Sequence, residues 1–399
     1  MTSARALLLL LLIPNTLSLS LGELRLSIYR VLLILVAFKA VSFLLTSPKG
    51  PARFADRMII AFSLWAVAAI AINHDPFKAL ESGGVFFVET AGAYYIGRSA
   101  TRTMEEATRL VSFLVAYVAA LMLVTLPEML TGVNVVWLIA EALGGESRSH
   151  IGTRLGMTRA WGPFDHPIIN GVICASALGL AVTLGGKRWL RRASTTVASA
   201  FTSISSGAVA SIMVQCIALF WVYRTPNRVN RWSRLGLLIA AAYVFIDLLS
   251  NRSGLKVILS YLTFSPGTAS WRLLIWDFGI DNALANPFFG IGFGDWARPD
   301  WMKSGSMDNF WLVTMVRYGI PAFLLLAAAT FSLIRQSAKA GTSPFAEGWL
   351  IGALGLIISG CTVHYWNQAH VFFMFYLGLG AAFVDALARE PVRRIPEPA

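Results

Sequence analysis

Charge is scarce in this 399-residue chain. Only 14% of residues are Asp, Glu, Lys or Arg, 56% are hydrophobic, and the mean hydropathy is +0.64. A soluble domain carries about 25% charged residues, so this composition excludes one and points to a polytopic membrane protein. Cysteine is scarcer still: Cys174, Cys216 and Cys361 all fall in apolar runs and form neither a disulfide framework nor a zinc cage. The histidines, His74, His150, His166, His364 and His370, include no H-x-x-x-H pair and no Cys/His cluster, so no metal is expected. His364 and His370, flanking a short turn, read as ordinary interfacial residues. Acids number 21 against 33 Lys and Arg, a formal net charge of +12. No basic soluble domain carries that excess, which argues against nucleic acid and for loops that set a membrane orientation. A small-residue cleavage site is missing after the leucines of MTSARALLLLLLIPNTLSLSLG, so this segment reads as a retained first helix.

What the chain has is apolar runs near or somewhat under the ~20 residues needed to cross a bilayer. They fall at about 5–21, 26–45, 58–72, 83–97, 110–126, 168–186, 193–205, 207–222, 235–249, 310–334, 347–362 and 369–387. The stretch from Ala193 to Val222 is long for one helix and short for two, and a tight turn at SISSGA makes it a hairpin. With the N-terminus inside, 20 of the 33 basic residues fall in cytoplasmic segments, among them Lys49, Arg53, Arg57, Arg98, Arg102, Lys187, Arg188, Arg228, Arg231, Arg335, Arg393 and Arg394. The positive-inside rule then gives an even number of spans with both termini cytoplasmic. The expected fold is an all-α polytopic membrane protein, one domain over 1–399 with about 12 transmembrane helices. Two long external loops remain, about 127–167 and 250–308.

The longer loop is neutral overall, with Arg252, Lys256, Arg272, Arg298 and Lys303 set against Asp277, Asp281, Asp295, Asp300 and Asp308. It is also rich in aromatics, including Tyr261, Phe264, Trp271, Trp276 and Trp296. Such a segment belongs on a bilayer surface. Trp271, Leu274, Ile275 and Phe278 recur at helical spacing, which predicts an interfacial helix with Arg272 and Asp277 off its apolar face. The glycines of FFGIGFGDW lack dinucleotide-binding spacing and read as a tight turn after Pro287.

Two polar clusters border apolar runs. MTRAWGPFDHPIINGV holds Arg159, Asp165 and His166 around a Gly-Pro bend. SMDNFWLVTMVRYGIP holds Asp308 and Asn309, where Ser306 or Asp308 is an expected helix cap. Arg317 lies eight residues beyond Asn309, ~12 Å deeper if the helix continues. A buried guanidinium needs a partner or a wet cavity, and Glu89 is the obvious acid, with Lys39 a competing base. These three read mainly as structural or cavity-lining.

The motifs R-x-x-G-P-F-x-H-P, the turn at SISSGA, W-R-x-x-x-W, N-P-F-F-G-I-G and D-N-F-W-L together resemble the O-antigen ligase and polysaccharide polymerase superfamily, over nearly the whole chain. That resemblance implies a metal-independent glycosyltransferase that uses an undecaprenyl-diphosphate-linked oligosaccharide at the periplasmic face of a bacterial inner membrane. It implies the lipid bilayer and other glycan-export proteins as partners, and no cofactor. It assigns Arg272 to the arginine of the large loop, Arg159 and His166 to the R…H-P motif, and Asp308 and Asn309 to the place where ligases have His-Asn. Arg317 and Trp276 join Arg159, Arg272 and Asn309 as substrate-binding residues, and Asp308, His166 and Arg272 are the catalytic set. Two departures stand out. Ser206 occupies the arginine position of the usual Ser-Arg-Gly turn, and aspartate at 308 favours a polymerase of exopolysaccharide or O-antigen repeats over a ligase acting on a lipid A-core acceptor. A transporter and a noncatalytic export partner are the rival readings. Against a transporter, no internal repeat is evident and the polar residues gather in the external loops.

Overall fold

A computed structural model describes the chain except residues 22–23, 47–48, 148–151, 227–229, 252–253, 255–256, 258–265, 341–342 and 390–399. His150, Arg228, Arg252, Lys256, Tyr261, Phe264, Arg393 and Arg394 lie outside the described residues. The remainder is mostly helical, and the strands among the described residues are two short antiparallel pairs. Among the described residues, six helices are long and apolar enough to cross a membrane: Arg53–Asn73, Met104–Thr131, Ser206–Arg224, Arg231–Leu249, Ile320–Lys339 and Gln368–Arg389. Pro167–Thr183 and Pro344–Gly360 are shorter and apolar.

Hydrophobicity gives little drive for helices to associate inside lipid, so close packing and polar pairing hold such a bundle. Gln368–Arg389, the most enclosed of the long helices, crosses Ala93–Arg98 backbone to backbone. A Cβ on Gly97 would stand 2.1 Å from the Phe375 carbonyl, and one on Gly378 2.1 Å from the Tyr94 carbonyl. Any larger side chain at either position would force the helices apart.

Buried polar contacts mark both ends of the bundle. At one, Arg98 binds Asp56 at 3.0 Å and also Asp385, and Arg231 pairs with Glu347. At the other, Asn15, Arg30, Glu89, Glu128, Asp165, Arg272, Asn367 and Gln368 bond among helices and loops. The candidate site residues all lie at this second, loop end.

Three expectations need correction. Residues 5–21 are not one helix. The first helix is Thr2–Leu10, only nine residues; the chain then turns through Pro14, and Ser18–Leu21 pairs with Leu24–Ser27 as a hairpin. Proline at 14 lacks the N–H that the next helical turn would use. Residues 310–334 are not one helix either, because Gly319 at φ 86° separates Phe310–Tyr318 from Ile320–Lys339. Arg317 sits in the last turn of this nine-residue helix, which runs unbroken from the Asn309 cap, so the ~12 Å rise from Asn309 to Arg317 holds and the break falls just beyond it. The glycine-rich turn straps this break: Ile291 N–H donates to Val316 at 2.9 Å, Gly292 N–H to Arg317 at 2.9 Å, and Ile320 N–H to Pro287 at 2.7 Å.

The third correction concerns the loop helix, which runs Pro266–Ala285. Its buried stripe is Ala269, Arg272, Ile275, Gly279 and Ala283, so Arg272 lies on the inward face at 7% exposure while Trp271 is 43% exposed. A guanidinium at this place is received by a backbone carbonyl, which makes its burial tolerable. Asp277 is exposed, off that face, as its spacing predicts. The Ala193–Val222 stretch divides into Trp189–Phe201 and Ser206–Arg224, joined by Thr202–Ser205.

Candidate active site at the loop end

A buried carboxylate organises the Arg159–His166 segment. Glu128, in the last turns of Met104–Thr131, accepts the Trp161 N–H at 3.1 Å, the Gly162 N–H at 2.9 Å and Asn134 Nδ2 at 3.1 Å. Consecutive backbone donors aimed at one carboxylate fix the bend in W-G-P-F. Asp165 is held from the other side by Asn15 Nδ2 at 2.7 Å and Asn367 Nδ2 at 2.9 Å. His166 and Arg159 emerge between these two anchors.

A small hairpin, Thr153–Arg154 with Met157–Thr158, docks onto the turn that carries Ser205 and Ser206. Arg154 Nη1 donates to the Ile204 carbonyl at 3.1 Å, and the Ala160 N–H donates to Thr202 at 3.0 Å. Arg272 reaches the same turn from the loop helix, donating through Nη2 to the Thr362 carbonyl at 3.2 Å and approaching Ser206 Oγ at 3.5 Å. Burial, and to a smaller degree the nearby Arg154, lower the Arg159 guanidinium to about 10. Burial also lowers Arg272, with Asp308 opposing that shift and Arg154 adding to it. Arg154 thus acts on both of the other guanidiniums near the turn that leads to Ser206. Arg159 Nε is buried with no hydrogen-bond partner among the described residues.

His166 caps the helix Pro167–Ser176, its Nδ1 accepting the Ile168 N–H at 3.1 Å. Burial and the nearby Arg159 push this imidazole down to about 4, against the pull of Asp308 and Asp165. It is neutral at neutral pH, and with Nδ1 accepting, the proton resides on Nε2. His166 therefore presents a hydrogen-bond donor to the site.

Asn309, not Ser306 or Asp308, caps Phe310–Tyr318: its Oδ1 accepts the Leu312 N–H at 3.0 Å. Asp308 is half-buried, accepts the Ser306 hydroxyl at 2.8 Å, and is felt electrostatically by both His166 and Arg272. Arg159, His166, Arg272 and Asp308 accordingly share one neighbourhood. Trp276 packs instead with the apolar cluster of Ile275, Trp296, Met302, Met307 and Leu312 beneath the loop helix.

Arg317 belongs to an adjoining region. Its guanidinium lies 5.3 Å from the centre of the Phe293 ring, and it lines two cavities, of about 400 and 250 Å³. His364 also lines both, and His370 lines the larger, so these histidines face a cavity rather than only a membrane boundary. His370 Nε2 also lies 2.9 Å from Thr90 Oγ1. Glu89 lines the larger cavity, paired with Arg30 at 2.8 Å and accepting the Tyr29 hydroxyl at 3.0 Å, rather than with Arg317 or the exposed Lys39.

Sequence reasoning missed Arg154, Glu128, Arg30, Trp366 and Asn367. Glu128 carried a usable signal, an acid at the end of a long apolar run. Arg154 sits in a tight Leu155-Gly156 turn that its neighbours do not distinguish from any surface hairpin.

No curated protein matches the chain. Residues 193–327 match the family described as O-Antigen ligase, about a third of the sequence. The likeness to the O-antigen ligase and polysaccharide polymerase superfamily therefore holds across the segment that contains Ser206, Arg272, Asp308 and Arg317.

Proposed function

We propose that this protein is a glycosyltransferase of the bacterial inner membrane that polymerises undecaprenyl-diphosphate-linked oligosaccharide units at the periplasmic face. The observation that carries this reading is the gathering of Arg154, Arg159 and Arg272 around one turn with Asp308 and His166 beside them. In this reading both termini are cytoplasmic, the chain crosses about twelve times using several short helices, and the segment 250–308 covers the site from outside.

The donor's diphosphate is the leaving group, and it departs with the electron pair of the bond to the anomeric carbon. Guanidiniums stabilise that developing charge, because their planar fork binds phosphate oxygens in pairs and never loses its proton at neutral pH. Three such groups supply the positive charge that a divalent cation supplies in other transferases. Arg154 makes good in space the guanidinium that position 206 lacks. An acceptor hydroxyl attacks the anomeric carbon and passes its proton to Asp308, the half-buried carboxylate facing the arginines. His166 contributes its Nε2–H to an oxygen of the diphosphate or the sugar, and Asn309 holds the segment bearing Asp308 against the end of Phe310–Tyr318.

The test is turnover by purified full-length protein on lipid-linked single repeats, resolved as a ladder on a gel. Cells without the gene should accumulate lipid-linked single repeats. Full-length polymer left on the carrier would instead identify a ligase, and unchanged glycans would reject transfer altogether.

A further inference from the structure

The arginine site does not use the larger cavity, and its lining is specific. Aromatic side chains, Phe86, Phe293, Phe310 and Trp366, form apolar walls. Between them stand groups that both donate and accept: Arg30 bound to Glu89, Asn367 accepting from Arg30 Nη2 at 3.2 Å, His364, Arg317 and Glu81. Arg317 and Glu81 face the cavity, and neither makes an ion pair among the described residues. An acyl or polyprenyl chain would leave these charges desolvated without a counter-charge, at considerable cost. A carboxylate ligand would suit Arg317 but meet Glu81 and Glu89. A neutral polyol satisfies both signs, since each hydroxyl donates to a carboxylate and accepts from a guanidinium. Its C–H faces lie against the rings, and the volume, about 400 Å³, sits in the range of small-ligand pockets.

The cavity also has a route to the transfer chemistry. Arg317, His364, Phe293 and Val313 line both it and the 250 Å³ cavity, which is further lined by Ser306 and Met307, the residues just before Asp308. Trp366, also in its lining, lies against His364, ring centres 5.6 Å apart, and against His166 at 6.1 Å.

We infer that this cavity is a sugar subsite that seats the terminal, uncharged residue of the acceptor glycan, with Arg317 and Glu81 reading its hydroxyls. The word acceptor rests on the transferase reading; sugar binding itself does not. The inference is tested with full-length protein in nanodiscs free of glycoside detergent, using saturation-transfer NMR and titration with methyl α- and β-hexopyranosides of the gluco, galacto and manno series. At least one should bind in the millimolar range, and better than methyl glucuronide. Binding should weaken about tenfold in Arg317→Gln and in Glu81→Gln, as expected for loss of a hydrogen bond to a charged group. Glu81 is only half-buried, so its variant keeps the test open should Arg317→Gln fail to fold. Arg272→Gln should bind the hexoside as wild type does while losing inorganic pyrophosphate. Loss of pyrophosphate binding by wild type with hexoside binding intact would defeat the transferase reading alone. No hexoside binding, preference for the glucuronide, or binding undisturbed in both cavity variants would overturn the sugar subsite.

Discussion

Asp308 stands free of the helix cap that its sequence position suggests, because Asn309 Oδ1 takes the Leu312 N–H at 3.0 Å. Its carboxylate is therefore available for chemistry, whereas His166 spends Nδ1 on the Ile168 N–H. The two residues should separate under isosteric substitution. Asp308→Asn retains shape but accepts no proton at neutral pH, and should lower polymerisation by about 100-fold or more with normal expression. His166→Gln keeps an amide donor and should retain partial activity. Undiminished turnover by purified Asp308→Asn would falsify the assignment of the base.

Burial pushes His166 down to about 4 and His364 down to about 3, the latter also through Arg317 and His370. A solvated imidazole titrates near 6.5. Above that value neither state carries the proton, and these groups contribute no slope. Between about 6.5 and 4 the unfolded chain binds protons that the folded chain refuses, so stability falls as pH falls. The melting temperature in nanodiscs should therefore drop from pH 7 to pH 4.5, and less steeply for His166→Asn combined with His364→Asn. Parallel curves for the two proteins would show that these histidines are not held neutral.

Arg272 Nη2 meets the Thr362 carbonyl at 3.2 Å. An ammonium could keep one such bond but not the paired geometry a diphosphate needs. Arg272→Lys should insert and fold normally yet lose most polymer output. Wild-type output from Arg272→Lys at matched protein levels would end its phosphate role.

The helical character, the break between Phe201 and Ser206, and the outward face of Asp277 were legible because they depend on local period and turn chemistry. The inward turn of Arg272 was not. Hydrophobic spacing placed Trp271 inside, and only the distant Thr362 carbonyl and Ser206 hydroxyl make the opposite rotation favourable. The break at Gly319 is likewise set from afar: a Cβ there would stand 1.9 Å from the Phe288 carbonyl, contributed by the strap. Arg30 with Glu89, and Asp165 with Asn15 and Asn367, join residues too distant in sequence for any spacing rule to pair.

Orientation is testable independently of chemistry. Arg98 with Asp56 and Asp385 marks one end of the bundle, and Arg272 with Thr362 the other. Reporters fused after Arg57, Arg234 and Ala399 should report cytoplasm, and those within 280–300 should report periplasm. A periplasmic signal after Ala399 would break the even-span topology.

Glu128 offers the sharpest link between folding and chemistry. Its Oε1 accepts from Trp161 and Asn134 and its Oε2 from Gly162, so all the hydrogen bonds are received by the carboxylate. In Glu128→Gln one oxygen becomes an NH2, which must face either the Gly162 N–H or the Trp161 N–H and Asn134 donors. A buried donor opposed to a donor costs about 1–3 kcal/mol. Release of the W-G-P-F bend moves Arg159 and His166 together, because both lie within five residues of it. The variant should lose a few degrees of melting temperature and bind inorganic pyrophosphate more weakly, while hexoside binding at the Arg317 cavity stays unchanged. A variant of unaltered pyrophosphate affinity would mean that the Arg159–His166 segment is positioned by Asp165 and its amide partners instead.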